Sequence, residues 1–331
     1  MFSSHNNILF KAIILALCVI SSVHIFLFPL YGLDTQQSTV KTLQALEQSL
    51  CLNNIRHHKT WKKAKCPSYG IVTVMQGGRI GNQIWEYASV WALARRTGLE
   101  PYIPRCIKLK LEQVFHALSL PTFEEIAHCP FEMNTFVRSL DEWNYTNQSI
   151  ILPKYIIHYE LVLPWVQDIK QEFAIKKKLL NKAQNILRIA SKHKTNSTFV
   201  GVHIRRTDYK NFLIVKHGIK PADKSFYNSA MQYFEEKYRR VVFVVVSDDP
   251  KWCVKNFSHR KNLYVTGSFH PNSPALDLAI LSSCNHSIFD YGTYGEWGAI
   301  LAGGETLYYS VVKNHSIYRG GQLLPNWHAL N

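Results

Sequence analysis

Hydrophobic positions along this chain fall into three regimes. The first is "AIILALCVISSVHIFLFPL" at residues 12–30, uncharged and almost wholly apolar. As a helix it would run roughly 28 Å, about one hydrocarbon core. The run is predicted to be an uncleaved signal-anchor, because a signal peptide's apolar region is usually about 7 to 15 residues long and ends at a small-residue cleavage site. Lys11 lies before it and Asp34 after it. The charge asymmetry predicts a cytoplasmic tail at 1–11 and a lumenal remainder, a single-pass type II arrangement. In the second regime, 31–66, apolar positions are sparse apart from the amphipathic patch "VKTLQALEQSLCL", and the segment is expected to be a stem that spaces a domain from the membrane.

The third regime, 67–331, alternates short apolar runs with helical periodicity. The strand "YGIVTVM" leads through "QGGRIGN" into the helix "QIWEYASVWALARRTG", with Gly98 placed as a helix C-cap. A second series starts at "TFVGVHI". It continues through the helix "DKSFYNSAMQYFEEKY", the strands "RRVVFVVVSDD" and "KNLYVTG", the helix "PALDLAILSSC", the strand "HSIFDYG" and the helix "EWGAILAGG". Strands alternating with helices predict two parallel α/β sheets. One half is expected at about 67–195 and the other at about 196–331.

Charge narrows the function classes. A net charge of +15 suits nucleic acid, an anionic membrane surface or a polyanionic substrate. The predicted anchor removes nucleic acid. Beyond Cys18 in the span, six cysteines (51, 66, 106, 129, 253 and 284) form an even set whose pairing is not deducible. Sequons at Asn144, Asn147, Asn196, Asn256, Asn285 and Asn314 agree with passage through the secretory route.

The candidate chemistry centres on "TFVGVHIRRTDYKNF". A buried-looking strand ends in His203, Arg205, Arg206 and Asp208. Alternation puts His203 and Arg205 on one face and Arg206 on the other, at the carboxyl edge where α/β sheets bind ligands. Two glycine loops accompany it. In "QGGRIGNQIWEYA", Asn82 can cap the following helix or bind a substrate hydroxyl. In "FDYGTYGEWGAILAGG", Gly292, Thr293 and Gly295 open a helix whose N-terminal amides can meet phosphate. The first loop lacks both dinucleotide-fingerprint and P-loop spacing. Taken singly, each is equally readable as a tight turn.

Together, "GGRIGNQIWEYA", "GVHIRRTDY", "FVVVSDDPKWC", "SPALDLAILSSCNHSI" and "GTYGEWGAILAGG", in this order, resemble the α1,2-fucosyltransferase family from about Tyr69 to Trp327. The resemblance implies a GT-B-like pair of α/β domains behind a Golgi signal-anchor and stem. It implies GDP-fucose as donor, no cofactor and no metal, and inverting transfer of L-fucose to the 2-hydroxyl of a terminal β-galactoside on a glycoprotein or glycolipid. His203, Arg205, Arg206, Asp208 and Tyr209 resemble its donor-binding motif. Three departures bear on acceptor preference: Thr207 in place of glycine, Trp85 in place of a small residue, and Asp290 with Tyr291 before Gly292. Self-association is left open.

The chemistry fits these residues. Negative charge grows on the β-phosphate as the fucosyl bond breaks, so a metal-free enzyme needs fixed cations, which Arg205 or Arg206 supplies. The expected catalytic set is Arg205, Arg206, Asp208 and Glu86. The donor-binding set is His203, Arg205, Arg206, Asp248, Gly292, Thr293, Gly295 and Asn82, with Asp248 and Asp249 directed at guanine or ribose or else closing a strand-end turn. Glu86, Asp208, Asp290 and Glu296 are the candidate bases, unranked, with Asp208 expected chiefly to hold Arg206 or His203. The same motif type occurs in α1,6- and protein-O-fucosylating enzymes, so linkage rests on the fuller likeness. An inactive glycan-binding homologue would keep the fold without the basic motif, and a sulfotransferase should carry a phosphosulfate loop that is absent.

Overall fold

The computed structural model describes residues 41–53, 64–131, 149–268, 272–310 and 323–330. The predicted span at 12–30 lies outside them. No helix among the described residues is long and apolar enough to cross a membrane.

The patch read as a spacer folds into the domain. Helix α1 (Leu43–Leu50) turns Leu43, Leu46 and Leu50 inward at helical spacing. They pack with Ile71, Phe123 and Ile126. A disulfide joins Cys51 to Cys106, and a second joins Cys66 to Cys129. The stem assignment for 31–66 is therefore corrected at 41–53 and 64–66, because burial of three leucines, not spacing, accounts for this amphipathic pattern.

The first sheet is small and parallel. Strand β1 (Ile71–Val74) lies between β2 (Glu100–Pro101) and β3 (Ile150–Leu152). Between β1 and β2 runs α2 (Ile80–Thr97), which ends at Gly98 with φ 75°, as expected of a glycine C-cap. Fourteen of its residues are buried, the mark of a helix enclosed on nearly every side. After β2 comes α3 (Arg105–Leu111), and after β3 come α4 (Tyr159–Val162) and α5 (Val166–Glu172).

Helix α6 (Lys177–Ala190) leads to the larger sheet. Its strands are β4 (Thr198–Ile204), β5 (Val241–Ser247), β6 (Leu263–Val265), β7 (His286–Phe289), β8 (Thr306–Tyr309) and β9 (Trp327–Leu330), in the order β9-β8-β7-β4-β5-β6 and all parallel. Between them run α7 (Tyr209–His217), α8 (Lys224–Lys237), α9 (Pro250–Phe257), α10 (Pro274–Ser282) and α11 (Thr293–Ala302). Strand β5 is buried on both faces. Phe243 and Val245 pack with Phe226, Phe234 and Phe257 on one side, while Val244 and Val246 pack with Ala183, Ala279 and Ile280 on the other. Period-two alternation inside an all-apolar run is what a sheet covered by helices on both faces requires. Helix α6, which the sequence boundary at 195 assigns to the first half, packs on this second sheet.

The halves share one core. Trp297, Ala299 and Ile300 of α11 belong to the same apolar cluster as Trp85, Tyr87 and Phe173.

Candidate active site

A cleft of about 1220 Å³ opens where the carboxyl ends of both sheets meet. Its walls carry Arg79, Gly81 and Asn82 from the β1–α2 turn, and His203, Arg205 and Asp208 from the end of β4. Asp248 and the segment Tyr291 to Tyr294 complete its floor.

Two helix N-termini converge there. Helix α11 starts at Gly292, with φ 99°, and α2 starts after Arg79; neither first turn has a side-chain cap. The opening amides of both helices are left without intrahelical partners, and they concentrate positive potential where an anion would sit. The turns touch each other. A Cβ on Gly81 would lie 2.7 Å from the Tyr294 amide nitrogen, so only glycine permits this approach. Thr293 Oγ1 donates to Asn82 Oδ1 at 2.9 Å, fastening one turn to the other.

The two arginines part company, as strand alternation predicts. Arg205 lines the cleft, its guanidinium 4.4 Å from the Tyr209 ring centre and donating to both oxygens of Asp208 at 2.9 Å. Arg206 points away. Its guanidinium lies 3.7 Å from the ring centre of Trp252, with Nε 3.7 Å from Asp249 Oδ2, and it does not line the cleft. Of the two arginines expected in the catalytic and donor-binding sets, only Arg205 lines the cleft, because residues adjacent along an extended chain project to opposite sides.

Other assignments shift in the same way. Asp208 holds Arg205, and it also accepts from Arg79 at 3.1 Å across the cleft, but it does not hold Arg206 or His203. Partial burial would raise its pKa, yet Arg205 and Arg79 outweigh that and keep the carboxyl below its ordinary value. Asp248 lines the cleft with its oxygens already engaged by the Arg206 and Thr207 amides and by Thr207 Oγ1, the last at 2.6 Å. Thr207 is therefore a hydroxyl latch on the turn. Asp249 caps α9 through the Trp252 amide.

His203 lines the cleft and is buried. Desolvation, reinforced by the Arg205 charge, pushes its pKa down to about 4, so the imidazole is neutral at ordinary pH. Its Nδ1 lies 3.8 Å from Asp290 Oδ1, outside hydrogen-bond reach. Gly295 makes room for the ring, since a Cβ there would stand 2.5 Å from that Nδ1. Asp290 accepts from the Arg205 amide, the Tyr227 hydroxyl and the Tyr291 amide, and burial pushes its pKa up to about 7 against those bonds. It braces the floor of the site.

Glu86 does not line the cleft. It is fully buried beneath the β1–α2 turn, accepting from the backbone of Tyr155 at 3.0 Å and of Gly77, and burial raises its pKa to about 7. A direct catalytic part for Glu86 has no geometry behind it, because a base must reach the proton it takes. Among the described residues the one grouping with metal-ligand spacing is Cys66, His128 and Cys129, and two of its sulfurs are joined in a disulfide. Sequence reasoning passed over Arg79, Lys110, Tyr155 and Asp277, all of which line the cleft. Arg79, inside "QGGRIGN", could have been found from its place at a helix start.

Residues 37–331 match the model of glycosyl transferase family 11. The chain belongs to this family. Within it, the galactoside 2-alpha-L-fucosyltransferase SEC1 of Bos taurus is 30% identical over 301 residues, 88% of this chain and 80% of that protein. The galactoside alpha-(1,2)-fucosyltransferase 2 of Bos taurus is 33% identical over 248 residues, covering 72% and 71%. The likeness to α1,2-fucosyltransferases is thereby borne out. The crystal structure of POFUT1 in complex with GDP shares the fold at 12% identity, with a TM-score of 0.50 over 74% of this chain and 99% of that one. The parallel two-sheet architecture expected of a GT-B-like member is present.

Proposed function

We propose that this family 11 glycosyltransferase moves L-fucose from GDP-fucose to the 2-hydroxyl of a terminal β-galactoside, with inversion. One observation carries the reading: Arg205 lines the same cleft as the uncapped N-termini of α2 and α11, which touch each other there. Negative charge developing on the leaving diphosphate finds a guanidinium and two helix dipoles already oriented, with no reorganisation needed at the moment of bond breaking. The residues so arranged take the place of a divalent cation. Neutral His203 contributes a hydrogen bond rather than charge, and Asp208 orients Arg205 and Arg79 while remaining the exposed, ionised carboxylate beside them. The relatives' names supply the linkage and the galactoside acceptor.

Placement in the cell belongs to the same proposal. The apolar run at 12–30 anchors the enzyme in the Golgi membrane with its catalytic region lumenal, and the two disulfides suit an oxidising compartment. Transfer of labelled fucose from GDP-fucose across a glycan array tests the activity. Product confined to 2-fucosylated galactosides, persisting in EDTA, is the expected result; complete loss in EDTA restored by manganese would sink the metal-free reading. Protease protection of everything after residue 30 in sealed microsomes tests the topology.

A further inference from the structure

Tyr155 occupies a conformation that its residue type avoids. Its φ is 62°, in the left-handed region that bulky side chains rarely enter, yet the residue is 52% exposed and lines the cleft. Neither burial nor turn chemistry explains this, since glycine or asparagine would serve the backbone better. What holds it is Glu86, a fully buried carboxylate that accepts the Tyr155 amide at 3.0 Å and also binds the Gly77 backbone. The neighbouring turn is shaped to the ring: a Cβ on Gly78 would lie 3.0 Å from Tyr155 Cε1. A buried charge-bearing group, a glycine turn and a left-handed residue thus cooperate to present one aromatic face to the cleft. Strain of this kind persists where the surroundings over-determine it, and it gathers at ligand clamps.

The wall matters. Arg205, His203 and the start of α11 lie on the large-sheet half, whereas Tyr155 follows β3 of the small sheet and stands beside the turn that opens α2. The ligand this surface suits has an apolar C–H face and a polar rim, which is the surface of a pyranose ring. We propose that Tyr155 is the platform on which the acceptor's sugar ring stacks, and that Glu86 is its positioning residue. The inference rests on the acceptor being a glycan and adds which side chain receives it.

Steady-state kinetics with a β-galactoside acceptor test it. Tyr155→Ala raises acceptor KM by about tenfold or more while GDP-fucose KM and calorimetric GDP affinity stay at wild-type values. Tyr155→Phe, which keeps the ring, behaves as wild type. Tyr155→Gly, free of the left-handed penalty, melts no lower than Tyr155→Ala and has the same raised KM. Glu86→Ala reproduces the KM rise and Glu86→Gln, which retains an acceptor oxygen, reverses most of it. Unchanged acceptor KM in the folded Ala and Gly variants overturns the proposal, as does an equal fall in GDP affinity. If wild-type protein transfers to no galactoside, the fucosyltransferase reading fails by itself. Saturation-transfer NMR with methyl β-D-galactoside then decides the platform: loss of signal in Tyr155→Gly supports it, and no signal or an unchanged one overturns it.

Discussion

Trp85 Nε1 donates to Glu296 Oε2 at 2.9 Å, linking α2 of one half to α11 of the other. Tyr159 adds a second bond, to Glu296 Oε1 at 2.6 Å, and the indole packs 4.9 Å from the ring of Trp297. The buried Glu296 carboxyl is thus satisfied by Trp85 and Tyr159 together. Burial raises the Glu296 pKa to about 7 against both hydrogen bonds.

Glu296→Ala leaves the Trp85 indole and the Tyr159 hydroxyl without an acceptor, and should destabilise the fold by about 2 to 4 kcal/mol. A cycle with Trp85→Phe should return a coupling of about 0.5 to 3 kcal/mol in denaturant melts. Additive losses would mean that the two residues act independently.

The arginines separate binding from folding. Arg205→Ala removes a charge-assisted contact of roughly 1.5 to 3 kcal/mol, weakening GDP binding by about one to two decades while the protein stays folded. Arg206→Ala does the reverse: it strips the cation from Trp252, lowers the melting temperature, and leaves GDP affinity of the folded fraction near wild type. Calorimetry beside thermal melting reads both, and loss of GDP affinity in Arg206→Ala alone would invert the assignment.

Stability should fall as pH rises from about 4.5 to 7. Glu47, Glu86, Asp290 and Glu296 are each lifted by burial to about 7, so in that window the folded state holds protons that the unfolded chain has released. His203, lowered to about 4, opposes them, because the unfolded imidazole takes up a proton below about 6.5 that the folded one refuses. Asp277, raised by burial to about 6, adds to them and His286, lowered by burial, joins His203, so five carboxyls outweigh two imidazoles and the melting temperature at pH 5.5 should exceed that at pH 7.5. Glu86→Gln should flatten the slope.

Replacing Cys51 and Cys106 by serine should lower stability by about 2 to 5 kcal/mol and make the segment around residues 51–53 the first site of limited proteolysis. The corresponding change at Cys253 or Cys284, both buried and unpaired, acts instead through packing.

Much of the fold was legible because periodicity encodes burial: the valine-rich run of β5, the enclosed face of α2 and the Gly98 cap stand in the sequence as they stand in the structure. The direction of Arg205 against Arg206 was legible too, since it follows from strand alternation alone. Their separate partners were not, because Trp252 and Asp249 come from the next strand–helix unit and only tertiary packing brings them beneath β4. The same holds for Asp208 meeting Arg79, more than a hundred residues away in sequence. Helix α1 was seen but misplaced, as amphipathicity states that a face is covered without naming the cover. Tyr155 left no local signal, for nothing around it in "LPKYIIH" announces a positive φ.

Because α1 is stapled into the domain, the leash is short. With the proposed anchor ending at residue 30 and the body beginning at Lys41, the intervening chain spans at most about 35 Å when fully drawn out. On the proposed anchoring, an enzyme tethered so closely would graze the bilayer, and the glycans within its reach would be those carried low on the membrane or brought down to it. A secreted fragment cut at residue 67 would lose α1 and both disulfides, whereas one beginning before Lys41 keeps the body whole.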